Sequence, residues 1–228
     1  MKAIILAAGM GTRLGSLVPK PLTELSDGLM IIDYQAEQLA RIVGRDSIAV
    51  VVGYKKELLM EKHPDLLYVY NEAYATTNTA KSLVRGLVKF DDDILWLNGD
   101  VYFDPAVLDK LAETGCTAAL VDRSKCGKEE VKYDVYEDGT IRNLSKAVQE
   151  PLGEAVGINV VCRADRALLA EELARVAAND YFEKGLENLT LARKIRVKPI
   201  YLEGLFCKEI DYPEDLVAVR GHIATAGR

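Results

Sequence analysis

The sequence predicts an α/β protein whose central sheet is mostly parallel. Three features predict this class: short apolar runs without alternation, stretches of apolar residues at helical spacing between these runs, and a glycine-rich loop directly after the first run. Continuous apolar runs are typical of strands that are buried on both faces, as in a parallel sheet. The 228 residues are 49% hydrophobic, which is enough for a large core, and we expect a single domain over residues 1–228.

The first half of the chain alternates between predicted strands and helices. The apolar runs predict strands at residues 3–6, 48–52, 66–70 and 93–100, and the helical spacing predicts helices at 33–43, 55–62, 80–88 and 105–111. Gly44 is placed to end the first of these helices. Alternation at this pitch predicts βαβ units, and such sheets bind ligands at the carboxyl ends of their strands.

The pattern changes after residue 116, where strands dominate. Strands are predicted at 117–121, 131–136, 140–144, 154–162 and 195–201, and helices at 168–176, 181–192 and 213–223. Glu137, Asp138 and Gly139 form a turn signal between two of the strands, which predicts a hairpin. We therefore expect a smaller, β-rich part over residues 116–228.

Composition and charge exclude several classes of protein. The net charge of −6 and the scattered basic residues argue against nucleic acid or an anionic membrane as the partner. The four cysteines form no CxxC pair, so neither a zinc site nor a redox pair is indicated. With no secretory leader and no apolar run of about 20 residues, we expect a cytoplasmic protein.

The opening 22 residues, MKAIILAAGMGTRLGSLVPKPL, carry the strongest signal. A buried strand that runs into glycines lets backbone N–H groups approach a phosphate, and Arg13 and Lys20 add positive charge. Gly9, Gly11 and Gly15 do not fit the dinucleotide-binding GxGxxG, and no GxxxxGK[ST] occurs. A tight turn with two surface cations is the alternative to a phosphate site.

This stretch resembles the signature of nucleotidyltransferases that activate sugar phosphates and small phospho-alcohols: L-A-A-G-x-G-[ST]-R-[LM], a short spacer, then P-K-P. The resemblance implies a Rossmann-like three-layer sandwich, with a nucleotide-binding part at about 1–115 and an acceptor-binding part at about 116–228. It also implies that the nucleotide is bound by residues of this stretch, namely Leu6, Ala7, Ala8, Gly9, Gly11, Thr12, Arg13 and Lys20.

The same resemblance assigns catalytic and metal-binding roles. Arg13 would contact the β- and γ-phosphates, and Lys20 would bridge the triphosphate and the acceptor. Asp100, at the tip of a predicted strand, and Asp211, in a segment that matches the family's E-I-D-x-x-x-D-L ending, would hold Mg²⁺. A turn or helix-capping role is the alternative for Asp100. Because an acceptor phosphate is already ionised near neutral pH, no general base is needed.

Other candidates lie in the loop before helix 80–88 and in the second half. Asn78 and Ser82 are candidates for contacts with the nucleotide base, although helix capping explains Asn78 equally well. Lys146 stands where related enzymes carry a lysine for the acceptor phosphate. For an ammonium group on the acceptor, the sequence offers carboxylates and aromatic faces at Glu154, Glu187, Tyr133 and Phe206.

The length and the E-I-D segment look most like the small cytidylyltransferases that act on phosphocholine or 2-aminoethylphosphonate. The resemblance thus implies CTP, Mg²⁺ and a small phosphorylated or phosphonate acceptor, with UTP and a sugar 1-phosphate as the alternative pair. A glycosyltransferase is disfavoured because Asn98, Gly99 and Asp100 do not form an Asp-x-Asp motif. A non-catalytic nucleotide-binding module is the alternative of another class. The sequence leaves the oligomeric state open, a homodimer included.

Overall fold

The fold alternates strands with helices in its first half and is strand-rich in the middle. The computed structural model describes residues 1–11, 18–124, 126–127 and 129–226. The first half contains β1 (Lys2–Ala7), β2 (Glu24–Ser26), β3 (Leu29–Met30), α1 (Ile31–Val43), β4 (Ile48–Val52), α2 (Lys56–Lys62), β5 (Leu67–Tyr70), α3 (Thr79–Leu87), β6 (Ile94–Asn98), β7 (Val101–Phe103) and α4 (Ala106–Ala112). The second half contains β8 (Ala118–Asp122), β9 (Lys132–Val135), β10 (Ile141–Ser145), β11 (Gly153–Val161), α5 (Arg163–Arg175), α6 (Phe182–Leu191), β12 (Lys198–Tyr201), β13 (Cys207–Glu209) and α7 (Pro213–Ala226).

One large sheet joins both halves of the chain. Strands β5, β4, β1 and β6 lie side by side and are parallel. The long strand β11 pairs antiparallel with β6 through its second half, and with β9 through its first two residues. On its other edge β11 pairs with β8, which pairs with β12. The predicted α/β class with a mostly parallel central sheet is confirmed.

The core lies on both faces of this sheet. The four residues 3–6 of β1 and all five residues of β4 are buried, as the absence of alternation in their sequences predicts. One apolar layer packs the sheet against α1, α4 and α7, and a second packs it against α3, α5 and α6. The arrangement is the three-layer sandwich that the resemblance implies.

The carboxyl ends of β1, β4 and β6 meet at one edge of the sheet. Leu6 of β1 is in register with Asn98 of β6, and the N–H of Gly99 donates to the carbonyl of Leu6 at 2.9 Å. The N–H of Tyr54, just after β4, donates to the carbonyl of Ala8 at 3.2 Å. The glycine loop after β1 and the end of β6, which is followed by Asp100, are therefore neighbours.

Several elements differ from the prediction where the apolar pattern is weak. Helix α5 begins at Arg163 rather than 168, because its first turn is polar and hides the helical spacing. The short pairs β2–β3 and β7–β13 have no signal in the sequence, since two or three residues show no period. The predicted hairpin is confirmed: β9 and β10 pair antiparallel, and Gly139 has a φ of +79° in the turn.

The helices in the described ranges are short. The longest of them, α7, has 14 residues, whereas a helix that spans a bilayer needs about 20 apolar residues. No helix in this part of the chain is long and apolar enough to cross a membrane.

Candidate active site

A cavity of about 840 Å³ opens at the carboxyl ends of β1 and β6 and extends along β11. Residues from both halves of the chain line it. Ten of the predicted site residues are among them: Leu6, Ala7, Gly9, Gly11, Lys20, Asn78, Asp100, Lys146, Glu154 and Asp211. The topology therefore gathers groups that lie up to 205 positions apart, at residues 6 and 211, around one space.

Lys20 lies at the centre of the charged groups near the glycine loop. Its Nζ donates to Oδ2 of Asp100 at 3.0 Å and also to Oδ1 of Asp211. The Lys20 side chain is 13% exposed, and the two carboxylates are 23% and 26% exposed. Two carboxylates from distant parts of the chain thus converge on a single ammonium group.

Flanking residues fix the position of Lys20. It begins a 3₁₀ turn over Lys20–Leu22, and buried Pro21 packs beside Gly99, where an added Cβ would stand 3.0 Å from the proline ring. Gly11 has a φ of +61°, and a Cβ there would stand 2.7 Å from Cγ of Lys20. The loop and the turn can approach this closely only because these two positions are glycine.

The two carboxylates determine the charge state of Lys20. Burial by itself lowers the pKa of Lys20, but the interactions with Asp100 and Asp211 outweigh it and raise the pKa above its ordinary value. Lys20 is therefore a permanent cation near neutral pH. A cation at the mouth of a glycine loop can contact phosphate oxygens.

A second polar pair lies beneath Asp100. The side-chain Nδ2 of Asn98 donates to Oε1 of Glu209 at 2.9 Å. A Cβ on Gly157 would stand 2.7 Å from both of these atoms, and Gly157 has a φ of +72° in the bulge of β11. Burial, followed by the nearby Asp100 charge, raises the pKa of Glu209 above its ordinary value.

Lys146 lies on the part of the cavity wall that the second half of the chain forms. Its Nζ is 3.3 Å from Oε2 of Glu129 and 5.3 Å from the centre of the Tyr181 ring. Because Glu129 is exposed, the Lys146 ammonium can exchange this carboxylate for a phosphate at a small cost in free energy. Lys208, also on the cavity wall, pairs with Asp215 at 2.9 Å.

The cavity wall carries far more carboxylates than cations among the described residues. The lysines are Lys20, Lys146 and Lys208, and the acids are Asp100, Asp122, Glu129, Glu130, Glu154, Glu183, Glu209, Asp211 and Asp215. Burial and the charges of Glu130 and Asp122 raise the pKa of Glu154 to about 7. Burial alone is the main cause that raises the pKa of Glu183 to about 7.

Five other sequence candidates lie away from the cavity wall. The carbonyl of Ala8 bonds to Tyr54, the Ser82 hydroxyl is buried and accepts from Nδ2 of Asn71 at 3.1 Å, and Tyr133 is fully buried in the core. Glu187 pairs with Lys184 in a separate, shallower depression, and Phe206 stacks on His222. Their burial and existing partners favour structural roles for these side chains.

Asn78 lies at the start of α3 and on the cavity wall, and its predicted contact with the nucleotide base remains a prediction. It is the N-cap of α3, where its Oδ1 accepts from the N–H of Thr79 at 2.8 Å, and it lines the cavity. Thr12 and Arg13 lie outside the described residues, so their predicted contacts with the nucleotide remain predictions.

The sequence does not indicate a role for Glu183. It also assigns no role to Glu209, the first residue of the E-I-D segment. Glu183 stands in the first turn of α6, where an acidic residue is ordinary because it complements the helix dipole. Only the three-dimensional arrangement shows that its side chain is buried against the cavity.

The residues around Lys20 fit a divalent ion of the magnesium type. Asp100 and Asp211 supply two carboxylates aimed at one point, and a bound Mg²⁺ commonly uses one or two carboxylates together with substrate phosphates and water. No group of three or more histidine, cysteine, aspartate or glutamate side chains suited to a metal occurs in the part of the chain that the structure describes. The two carboxylates would thus supply part of the coordination of Mg²⁺, and substrate phosphates and water would supply the rest.

Curated relatives include a CMP-5′-(3-aminopropyl)phosphonate synthase, the bifunctional protein GlmU and the UTP–glucose-1-phosphate uridylyltransferase AglF. Over 121 residues, which cover 49% of this chain and 19% of that protein, the chain is 38% identical to CMP-5′-(3-aminopropyl)phosphonate synthase of Streptomyces rubellomurinus. It is 29% identical over 233 residues to bifunctional protein GlmU of Methanococcus maripaludis strain C5, which covers 97% of this chain and 54% of that protein. The chain thus spans from 19% to about half the length of the first curated relatives it matches.

Solved structures with the same fold cover nearly the whole chain. CTP:phosphocholine cytidylyltransferase LicC of Streptococcus pneumoniae superposes with a TM-score of 0.79 at 23% identity, over 97% of this chain and 98% of that one. The inositol-1-phosphate CTP transferase of T. maritima gives a TM-score of 0.79 at 20% identity, over 97% and 95%. The MobA-like NTP transferase domain matches residues 3–156, well over half of the chain. The chain therefore belongs to the MobA-like NTP transferase domain family of nucleotidyltransferases.

Proposed function

We propose that this protein transfers CMP from CTP to a small phosphate or phosphonate acceptor of the phosphocholine or 2-aminoethylphosphonate class. An acceptor oxygen attacks the α-phosphorus, a new P–O bond forms, and the bond to the departing pyrophosphate breaks. The observation that carries the proposal is Lys20, held between Asp100 and Asp211 at the mouth of the glycine loop. This arrangement offers both a cation and a carboxylate pair where two anions must meet.

The reaction needs positioning and charge neutralisation more than proton transfer. An ionised acceptor oxygen is already a nucleophile, and a site without a general base is sufficient for it. Lys20 would hold the phosphates of the nucleotide next to the acceptor, and Lys146 would hold the acceptor's phosphate or phosphonate group. The backbone of the glycine loop would donate to the nucleotide phosphates.

Asp100 and Asp211 would hold Mg²⁺. When bound, the ion would neutralise charge that develops on the phosphate oxygens in the transition state. Lys20 and the ion would compete for these carboxylates, because the Lys20 ammonium donates to Oδ2 of Asp100 and Oδ1 of Asp211.

The comparisons favour CTP over UTP. Relatives named for CMP or CTP chemistry include the aminopropylphosphonate synthase, and two proteins with the same fold are named as CTP enzymes. The second candidate is a sugar-1-phosphate nucleotidyltransferase that uses UTP. It is favoured by the UTP–glucose-1-phosphate uridylyltransferase AglF of Haloferax volcanii, to which the chain is 29% identical over 161 residues.

Pyrophosphate release by the purified protein tests the proposal. CTP, UTP, GTP and ATP are crossed, with Mg²⁺, against phosphocholine, 2-aminoethylphosphonate, inositol phosphate and several sugar 1-phosphates. Release with CTP and a phospho-alcohol or phosphonate supports the proposal, and release confined to UTP and a sugar phosphate supports the second candidate. Nucleotide binding without release in any combination contradicts both and favours the non-catalytic module.

A further inference from the structure

Glu183 is the buried carboxylate of the cavity that the reaction leaves unused. Its side chain is 7% exposed, it lines the cavity, and its Oε2 has no hydrogen-bond partner among the described residues. A buried oxygen without a partner loses its hydration and gains nothing in return. A carboxylate kept in this state is suited to receive a cationic ligand.

The position of Glu183 is set by the packing of α6 against α3. The N–H of Phe182 donates to Oγ1 of Thr79 at 3.1 Å, and the N–H of Ala80 donates to the carbonyl of Asp180 at 3.3 Å. The Phe182 ring is fully buried edge-on against Trp96, with 5.5 Å between ring centres. The residue before Glu183 is therefore anchored, and this fixes the backbone from which the Glu183 side chain extends.

None of the cations lining the described cavity satisfies Glu183. Lys146 is close enough to act on its charge, but the Lys146 ammonium contacts Glu129 and the Tyr181 ring instead. Lys20 is bonded to its own carboxylate pair. Glu154, Glu130 and Asp122 line the same cavity and add further carboxylates to it.

We propose that Glu183 binds the ammonium group of the acceptor, and that this group is a primary ammonium rather than a trimethylammonium. The proposal rests on the proposed function, because it names the acceptor of that same site. A primary ammonium donates up to three hydrogen bonds and matches buried carboxylate oxygens. An acceptor of this kind is an aminoalkyl phosphonate or phosphate.

The aromatic residues of the cavity do not offer the faces that a trimethylammonium needs. Such a group cannot donate hydrogen bonds and is bound by aromatic cages. Among the described residues, the cavity is lined by Tyr181, Phe182 and Tyr212. Lys146 already stands over the Tyr181 ring, and Phe182 is packed into the core. Of these three rings that leaves Tyr212, which is 47% exposed, and a single ring does not form a cage.

Initial rates with CTP and Mg²⁺ test the proposal through matched acceptors. The wild type should use 2-aminoethylphosphonate at least about 10- to 100-fold more efficiently, in kcat/KM, than ethylphosphonate, which lacks the amine, and should prefer it to phosphocholine. Glu183→Gln should lower kcat/KM for 2-aminoethylphosphonate by about 10- to 100-fold while leaving ethylphosphonate within a few-fold. The KM for CTP should not change.

Glu172→Gln is the control variant. Glu172 is a partly buried carboxylate that accepts from Nδ2 of Asn188 on α6, and it does not line the cavity. It should keep the wild-type preference for the amine. A thermal melt of each variant checks that the fold is retained.

The ammonium site and the proposed CMP transfer would be contradicted by separate results. If Glu183→Gln lowers the rate with both phosphonates equally, or if the wild type prefers phosphocholine, Glu183 does not bind a primary ammonium. Calorimetry measures the binding of 2-aminoethylphosphonate without turnover. It therefore distinguishes a failure of the ammonium site from a failure of the proposed transfer reaction. If amine binding depends on Glu183 but CTP is not consumed, the proposed donor is wrong and the ammonium site stands.

Discussion

Replacing Glu183 with glutamine should change how the stability of the free protein depends on pH. Burial raises the pKa of Glu183 to about 7 from its ordinary value of 4.5. Between these values the folded protein keeps the proton and the unfolded chain does not. The contribution of the protonated Glu183 to stability is therefore fully present below pH 4.5. It falls as the pH rises from 4.5 to about 7 and is lost above about pH 7.

The size of the effect follows from the pKa difference. A difference of about 2.5 corresponds to a free energy of unfolding lower by about 3 kcal/mol at pH 8 than at pH 4.5, as an upper limit for this group alone. Glutamine keeps the shape and has no charge to bury, so the variant should match the wild type near pH 4.5. At pH 8 it should be more stable by up to about 3 kcal/mol, or a melting temperature higher by about 6–12 °C for a chain of this length.

Urea denaturation of both proteins at pH 5 and pH 8 measures this difference. Glu154 and Glu209 titrate in the same range and are present in both proteins. The Glu183 charge is one of the causes that raise the pKa of Glu209, so the comparison measures Glu183 together with its effect on Glu209. A stability difference that is the same at both pH values would refute the reasoning. So would a variant that is less stable at pH 8, because the carboxylate would then have a favourable partner.

Three further substitutions test other parts of the site. Asp100→Asn should keep the fold, since the residue stands at a strand tip, but should reduce Mg²⁺-dependent pyrophosphate release by about 100-fold or more; normal turnover would contradict the placement of the metal. Gly157→Ala should destabilise the protein by about 1–3 kcal/mol in urea denaturation because of its positive φ and the amide–carboxylate pair 2.7 Å from the new Cβ. Gly221→Ala, in α7 with no atom within 4 Å of a new Cβ, is the control and should be neutral or stabilising. Lys146→Met should raise the KM for the acceptor by about 10- to 100-fold with little change in melting temperature, since the lysine forms its ion pair with an exposed carboxylate. An unchanged KM would place the acceptor elsewhere.

The apolar runs predict the sheet well because burial on both faces leaves a signal within five or six residues. β1 and β4 are such runs, and their lack of alternation correctly indicates parallel neighbours. The pairing of β7 with β13 could not be predicted in this way. These strands have three residues each and lie about 100 positions apart, so neither a period nor a turn connects them in the sequence.

The charged groups near Lys20 were predicted from a motif rather than from physical reasoning alone. A strand-tip aspartate followed by a turn explains Asp100 equally well as a structural residue, and nothing local joins it to Asp211. The structure brings both carboxylates to Lys20. Glu183 had no signal at all, since the burial of one carboxylate depends on how α6 packs and not on its own neighbours in the chain.

The shared strand β11 limits how this enzyme scaffold can be recombined. Its first two residues pair with β9, and its last four pair with β6, so a single backbone sets the spacing between the two walls of the cavity. A chimera that takes the second half of the chain from a relative but keeps the native β11 would place that strand beside a foreign β9, to which it is not matched. One that takes the foreign β11 must also accommodate it against β6. Crossovers that exchange β6 and β8 to β11 as one block preserve both of these pairings, and point substitutions on the cavity wall leave the pairing of β11 unchanged.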